Sequence, residues 1–260
     1  MLHLRFVLFS VGLAVGLFVV LIGFTELGRL LGQTMTKRHG GDKAPSNAGI
    51  VDNAVYGLLA LLIGFSFAGA AGRFDHRREL VGEEANSATT AWIRIDILPE
   101  AQRPAVREAL RQYVDAVIEW YRGTDTSALF DQPESVTRAQ DELWRRAVAA
   151  CLAPQGEAAR MLLLPELNDL FDGVDRERMA RAIHPPKIIW VMLAVTAIAA
   201  ALFTGYGFSG SARNWLYIAG FAASVSISTY VIVELEFPRL GFTRLSNINR
   251  PMIDARASLK

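Results

Sequence analysis

Ionisable residues are absent from the four long apolar stretches of this 260-residue chain. Aspartate, glutamate, lysine, arginine and histidine occur only outside these stretches. Proton pumps and coupled transporters generally relay charge through ionisable groups at membrane depth. The absence therefore argues against a pump or a coupled transporter. It is compatible with a channel that selects by size, hydroxyl groups and apolar constrictions.

Cysteine is nearly absent as well, since Cys151 is the single one. It excludes an intrachain disulfide and a cysteine-rich metal site, and we expect it at a buried helix position. The chain also lacks a phosphate-binding glycine loop, a zinc-type His-Glu-x-x-His and a nucleophile elbow. We therefore predict no enzymatic activity, no cofactor and no metal site. His76, Glu79 and Glu83 share a helical face, but a solvated, ion-paired surface explains that trio better than a metal does.

The apolar stretches are each long enough to cross a bilayer as a helix. They comprise residues 6–24, 54–72, 188–205 and 215–233. A cleaved signal peptide is the competing interpretation of the first stretch. The connector 26–49 is rich in glycine, lysine and arginine, which predicts a loop. Four spans place both termini on one side, and the excess of flanking lysine and arginine next to residues 73–187 predicts that this side is cytoplasmic.

The region between the second and third spans predicts a helical cytosolic domain. Residues 73–187 contain 16 Lys and Arg against 20 Asp and Glu, and this mildly acidic balance argues against nucleic-acid binding. Apolar positions recur there at helical spacing, without the alternation of strands. The chain is thus predicted to be all-α with four transmembrane helices, and to consist of three parts. These are a first transmembrane hairpin (1–72), the cytosolic domain (73–187) and a second transmembrane hairpin with a short cytosolic tail (188–260).

The second span is predicted to continue unbroken into the cytosolic domain. No proline occurs in residues 51–98, so one helix of roughly 70 Å can run through them. Apolar residues beyond the membrane repeat every four and three positions, as in a coiled-coil seam. The seam consists of Val81, Ala85, Ala88, Trp92 and Ile95. We predict that it contributes to self-association, because a single subunit would leave it half covered.

One side of the second span is the candidate pore lining. At 100° per residue, small residues and one phenylalanine fall together on it. They are Asn53, Gly57, Ala60, Gly64, Phe67 and Ala71. Such a face either lets another helix pack closely, or surrounds a pore with Phe67 as a hydrophobic constriction and Asn53 at the outer mouth.

Charged residues follow this face directly and are candidates for a vestibule. They are Arg73, Arg77, Arg78, Glu79 and Glu83. The positive-inside rule by itself accounts for the arginines. In a ring of subunits they would also attract anions, while the glutamates would offset that field. The residues themselves therefore do not determine the sign of any ion selectivity.

Three parts of the sequence resemble one known family. The first is LIGFSF at 62–67, followed by RFDHRR at 73–78 and EEAN at 83–86. The second is LNDL at 167–170, followed by HPP at 184–186 and Trp190. The third is ELEFPRLG at 234–241. Together they resemble the bestrophin-like family of bacterial membrane proteins, over nearly the whole chain.

The resemblance implies a distant likeness to bestrophins, pentameric chloride channels whose second span lines the pore. It implies an oligomeric ion channel in a bacterial inner membrane, with anions as candidate permeant ions. The implied partners are the lipid bilayer, further copies of the chain (a pentamer) and small inorganic ions. The chain lacks the proline that bestrophins carry inside their neck motif, so pore geometry and ion choice stay open. From another class, a membrane-anchored signalling or scaffolding protein whose cytosolic domain binds a partner also fits the residues.

Overall fold

The computed structural model describes residues 2–38, 48–123, 132–154, 156–209, 213–237 and 249–260. Within these residues all regular elements are helical, which confirms the all-α prediction. The helices are Leu2–Arg38 (α1), Ala48–Arg94 (α2), Arg103–Arg122 (α3), Glu134–Leu152 (α4), Glu157–Ala182 (α5), Lys187–Gly207 (α6), Trp215–Glu236 (α7) and Arg250–Ser258 (α8). A 3₁₀ turn, Ile95–Ile97, follows α2.

Four helices are long and apolar enough to cross a membrane, as predicted. The predicted spans fall in α1, α2, α6 and α7. The second of these is a single α-helix of 47 residues, or about 70 Å at 1.5 Å per residue. Apolar residues therefore pass into charged ones without a break in the backbone hydrogen bonds of α2.

The predicted loop at 26–49 is wrong for its first part, because α1 continues to Arg38. Apolar residues such as Leu27, Leu30 and Leu31 continue through this part, and no proline interrupts it. Lys37 and Arg38 occupy the last turn, where cations stabilise the negative end of a helix. Residues 39–47 of the connector lie outside the described residues, and α2 already begins at Ala48.

The chain divides into two compact units. The spanning unit comprises His3–Gly72 and Pro185–Phe242, and the helical body comprises Arg73–His184 and Thr243–Lys260. In the spanning unit, all four apolar helices contribute buried residues to one apolar cluster. These residues are Leu21, Leu59, Leu193, Ala197, Ala200, Ala201, Ala222 and Val225. Half of them are alanines, all from α6 and α7, so these two helices contribute the small side chains that are usual in membranes, whereas α1 and α2 contribute leucine.

Helices α1 and α6 approach each other most closely at glycines. A Cβ on Gly205 would overlap the backbone carbonyl of Thr25, and a Cβ on Gly28 would overlap that of Leu202. Gly28 and Gly32 have the spacing at which small residues bring transmembrane helices together. Close helix packing within this chain therefore takes place between α1 and α6.

The core of the helical body covers the predicted seam. Val81, Ala85, Ala88, Trp92 and Ile95 are all buried within the chain, against residues of α3, α4, α5 and α8. The seam therefore gives no support to self-association, contrary to the prediction. Its four-three spacing is common to coiled coils and to any helix that packs on one side, so spacing alone could not separate the two.

Helix α8 forms where the sequence predicts only a short tail. Met252, Ala255 and Leu259 are buried in the core of the helical body. The guanidinium of Arg256 donates to both carboxylate oxygens of Asp115 in α3, at 2.7 and 2.8 Å. Three anchoring side chains and a bidentate pair thus fix a helix of nine residues, which would be unstable alone.

Candidate pore helix and its charged extension

Helix α2 packs along only one side within the spanning unit. Leu59 and Ala70 are buried on that side, and Tyr56 and Ile63 are partly buried on it. The predicted pore-lining residues lie outside this buried side. Asn53, Gly57, Ala60, Gly64 and Phe67 are exposed, and Ala71 is half-buried. Only 11% of the residues in the most apolar stretch of α2 are buried, whereas 33% are buried in that of α7. The second span is therefore the one that the described part of the chain covers least.

The exposed part of α2 has two sides of different character. One side carries bulky residues, with Leu58, Leu61 and Phe65 all exposed. The other side carries the small residues of the candidate pore lining, and Phe67 lies at its edge with 46% of its surface exposed. Because successive residues are 100° apart, these two sides face different surroundings.

Among the described residues, no other helix fills the space beside Gly57 and Gly64 of α2. A Cβ on Gly57 or on Gly64 would have no atom of another described element within 4 Å. Gly205 of α6 is the opposite case, because backbone of α1 fills the place where its Cβ would lie. Close packing inside the described chain thus explains Gly28 and Gly32 of α1 and Gly205 of α6, but it explains neither Gly57 and Gly64 of α2 nor the glycines earlier in α1.

The charged extension of α2 has both exposed and buried members. Arg78 is exposed and lies 3.9 Å from Asp75, while His76 and Glu79 form an exposed pair at 3.9 Å. Glu83 is exposed and Arg73 is half-buried. Among the described residues, no three His, Cys, Asp or Glu side chains gather as metal ligands would.

Arg77 departs from its predicted place at the surface. It is only 6% exposed and belongs to the buried side of α2 in the helical body. That side continues one and two turns later with Val81 and Glu84. Arg77 therefore cannot contribute to a solvent-facing ring of charge, and the accessible charges of this region are those of its neighbours.

A buried polar network, which the sequence analysis missed, connects α2 with α3 and α5. Glu84 is 1% exposed and accepts a hydrogen bond of 2.7 Å from the hydroxyl of Tyr121. Glu177 and Arg181 of α5 form a buried ion pair, and the Arg181 guanidinium lies 4.7 Å from the centre of the Tyr121 ring and 4.8 Å from that of Trp120. The signal in the sequence is the position of Glu84 among the apolar seam residues Val81, Ala85 and Ala88.

The network has an electrostatic consequence for the tyrosines of α3. Burial raises the pKa of Tyr121 well above its ordinary value, and the negative charges of Glu84 and Glu177 raise it further. Burial likewise raises the pKa of Tyr113, with Glu84 and Asp175 adding to the effect. Both phenols therefore stay protonated in the folded protein, and Tyr121 can keep donating to Glu84. The network fixes α2 within the helical body, and nothing in its geometry indicates chemistry on a substrate.

Cys151 occupies the buried helix position that the sequence predicted. It lies in α4 within the core of the helical body, and burial raises the pKa of its thiol. A buried thiol with a raised pKa is a poor nucleophile, so Cys151 has a packing role.

Solved structures of similar fold belong to a bacterial bestrophin homologue from Klebsiella pneumoniae. One, determined by zinc anomalous phasing, matches with a TM-score of 0.67 and 15% identity over 94% of this chain and 98% of that chain. A second, of a single-substitution variant, matches with a TM-score of 0.68 and 13% identity over 95% of this chain and 98% of that chain. At such identities the likeness concerns the fold. No curated protein matches the sequence.

The sequence itself matches a family model. The model of the Bestrophin-like domain covers residues 8–248, from the first span to the segment that precedes α8. This match includes all four candidate spans and the helical body between them. It confirms the resemblance found in the three sequence motifs. The chain is a multi-pass membrane protein and belongs to the bestrophin-like family.

Proposed function

We propose that this protein is an oligomeric ion channel in which the small-residue side of α2 from each subunit lines the pore. The observation that carries the proposal is the open space beside Gly57 and Gly64 on the least covered span. Membership of the bestrophin-like family supports it. Symmetry-related copies of this side would surround a common axis, and the bulky side with Leu61 and Phe65 would then meet neighbouring subunits or lipid.

Lipid contact alone is a poor explanation of the small-residue side. Burying apolar surface in hydrocarbon favours large side chains, whereas glycine contributes none and exposes its backbone. Asn53 adds a polar amide to the same side. Around an axis, small side chains leave room for a water-filled path, and an amide can hydrogen-bond to water or an ion at its mouth.

Phe67 is the proposed constriction of this path. A ring of phenylalanine side chains would narrow the pore and repel water, which is how hydrophobic gates work. The exposed charges beyond it have both signs, because Arg78 stands beside Glu79 and Glu83. We propose anions as the permeant ions because the resemblance implies them. Reversal potentials in unequal KCl solutions distinguish anion from cation conduction.

Single-cysteine labelling tests which side of α2 faces water. In a Cys151→Ser background, Ala60→Cys lies on the small-residue side and Leu61→Cys on the bulky side. We expect a charged, water-soluble methanethiosulfonate to react with the Ala60→Cys protein in liposomes and to change its ion flux. The Leu61→Cys protein should react slowly and keep its flux. Equal labelling of both would contradict the pore assignment, and a wild-type protein that conducts nothing would favour a membrane-anchored scaffold.

We infer further that the protein is a homo-oligomer, for which the resemblance implies a pentamer. Five copies of α2 around an axis would cover the small-residue sides that one chain leaves open. Light scattering of the protein in mild detergent measures the mass of the assembly. A monomer under these conditions would contradict the proposal.

The orientation is proposed as both termini and the helical body in the cytoplasm of a bacterial inner membrane. Flanking positive residues are more numerous on that side of the spans. Fusions after Lys260 test the orientation. Green fluorescent protein should be fluorescent there and alkaline phosphatase inactive, whereas an active phosphatase would reverse the assignment.

A further inference from the structure

A cleft in the spanning unit combines aromatic rings with a carboxylate. It has a volume of about 420 Å³ and lies where α2 and α7 begin and α6 ends. Its wall consists of Asp52, Tyr56, Phe203, Thr204, Gly207, Phe208, Tyr217 and Phe221. An adjoining cavity of about 300 Å³ shares Asp52 and Phe203 with it. Both volumes fall in the usual range for sites of small ligands.

The aromatic rings are oriented by contacts within the unit. The ring of Tyr56 meets that of Phe221 at 6.3 Å with an angle of 63° between their planes. Its hydroxyl lies 2.9 Å from the hydroxyl of Thr204, which fixes the ring on the α6 side. The rings of Phe208 and Tyr217, which also line the cleft, stand 6.3 Å apart. Five of the eight lining residues are thus aromatic, and none is basic.

Asp52 supplies the only carboxylate among the residues that line this cleft. In the described part of the chain it forms no ion pair. Arg213, which precedes α7, is engaged elsewhere, since it lies 2.9 Å from Glu26 and over the ring of Trp215 at 5.7 Å. The negative charge of Asp52 therefore has no protein cation to balance it within the described structure.

We propose that this cleft binds an organic ammonium group. Aromatic faces attract cations through their quadrupole, and ammonium ligands are the best-known occupants of such cages. The carboxylate adds a direct charge interaction. A bare metal cation is disfavoured, because Ca²⁺ takes six to eight oxygen ligands and the wall offers few. The ammonium group belongs to a soluble amine or to the headgroup of an aminolipid, since the cleft lies at an end of the spans.

Binding of tetramethylammonium to the purified full-length protein in non-ionic detergent tests the proposal. We expect tetramethylammonium chloride to raise the unfolding temperature of the wild type above that in sodium chloride of equal ionic strength. Asp52→Asn should weaken the apparent affinity for tetramethylammonium about fivefold, because it removes one partly exposed charge pair. Asp141→Asn, which removes an exposed carboxylate of the helical body, is the matched control and should change nothing.

A second variant separates a cation site from a merely apolar cleft. Tyr217 is well exposed, so Tyr217→Leu keeps an apolar side chain at low risk to folding but removes the aromatic face. We expect it to weaken tetramethylammonium binding as well. Unchanged binding by both the Asp52→Asn and the Tyr217→Leu protein would overturn the proposal, and so would a wild type without any response.

Native mass spectrometry distinguishes the two sources of the ammonium group. If the occupant is a lipid headgroup, wild-type protein should retain phosphatidylethanolamine over phosphatidylglycerol, and Asp52→Asn should lose this preference. If it is a soluble amine, neither protein will prefer either lipid, while the tetramethylammonium response remains. Retention of phosphatidylethanolamine that is equal in both proteins, without a tetramethylammonium response, would contradict the site.

Discussion

Replacing Tyr121 with phenylalanine removes the hydroxyl that donates to Glu84 in the buried network. The bond measures 2.7 Å, and Glu84 is 1% exposed, so water cannot replace the donor. A hydrogen bond to a charged group contributes about 1.5–3 kcal/mol, and a buried acceptor left without its donor costs a similar amount. For a protein of this size, 1 kcal/mol corresponds to roughly 2–4 °C in the unfolding temperature. We therefore expect Tyr121→Phe to lower that temperature by about 3–12 °C.

The matched control lies two helical turns earlier in α3. Tyr113 is as deeply buried, but its hydroxyl makes no hydrogen bond within the described residues. Its ring packs against that of Phe171 at 5.2 Å, a contact that phenylalanine would keep. Tyr113→Phe should therefore leave the unfolding temperature almost unchanged or raise it slightly. Thermal unfolding in detergent, followed by intrinsic tryptophan fluorescence, measures both variants. Equal shifts would refute the assignment of stability to the Tyr121–Glu84 bond.

Two further predictions concern the α1–α6 contact and alkaline pH. Gly205→Ala should push α1 away from α6 and destabilise the protein by about 1–3 kcal/mol, which lowers the unfolding temperature. Gly220→Ala is the control, because a Cβ at Gly220 of α7 would have no atom of another described element within 4 Å, and it should not lower the unfolding temperature. The second prediction concerns alkaline pH. Above about pH 10 the tyrosines of an unfolded chain lose their protons. In the folded protein Tyr113 and Tyr121 keep theirs, because their pKa values are raised. Stability should then fall as pH rises, and the double variant Tyr113→Phe/Tyr121→Phe should flatten that fall. A wild-type unfolding temperature that stays constant above pH 10 would contradict this second prediction.

Features that depend on length and periodicity were accessible from the sequence. Apolar stretches of 18 or more residues identify spans because a bilayer core has a fixed thickness. The unbroken α2 followed from the absence of proline, which would have interrupted its hydrogen bonds. The sequence does not predict the extension of α1, because the composition from Glu26 onward, rich in glycine, lysine and arginine, is typical of a loop. In the structure Glu26 is paired instead with Arg213, which lies 187 residues later.

Features that depend on distant partners were not accessible. Arg77 and Glu84 look like surface charges in the sequence, since charged residues are rarely buried without partners. Glu84 is buried because Tyr121, which is 37 residues away, supplies a donor. The pore side of α2 poses a similar problem, because small residues suit both close packing and an open path. Only the positions of the other helices showed that Gly57 and Gly64 have no neighbour within the described chain.

Ion flux through liposomes that contain the Phe67→Ala protein tests the central claim most directly. If α2 lines a pore that narrows at Phe67, the smaller side chain widens it, and flux should rise above that of the wild type. Phe65→Ala provides the control, because Phe65 lies on the bulky side and is 68% exposed in the single chain. It should leave the flux near the wild-type level. Unchanged flux through a Phe67→Ala protein that assembles normally, or an equal rise in both variants, would contradict the account.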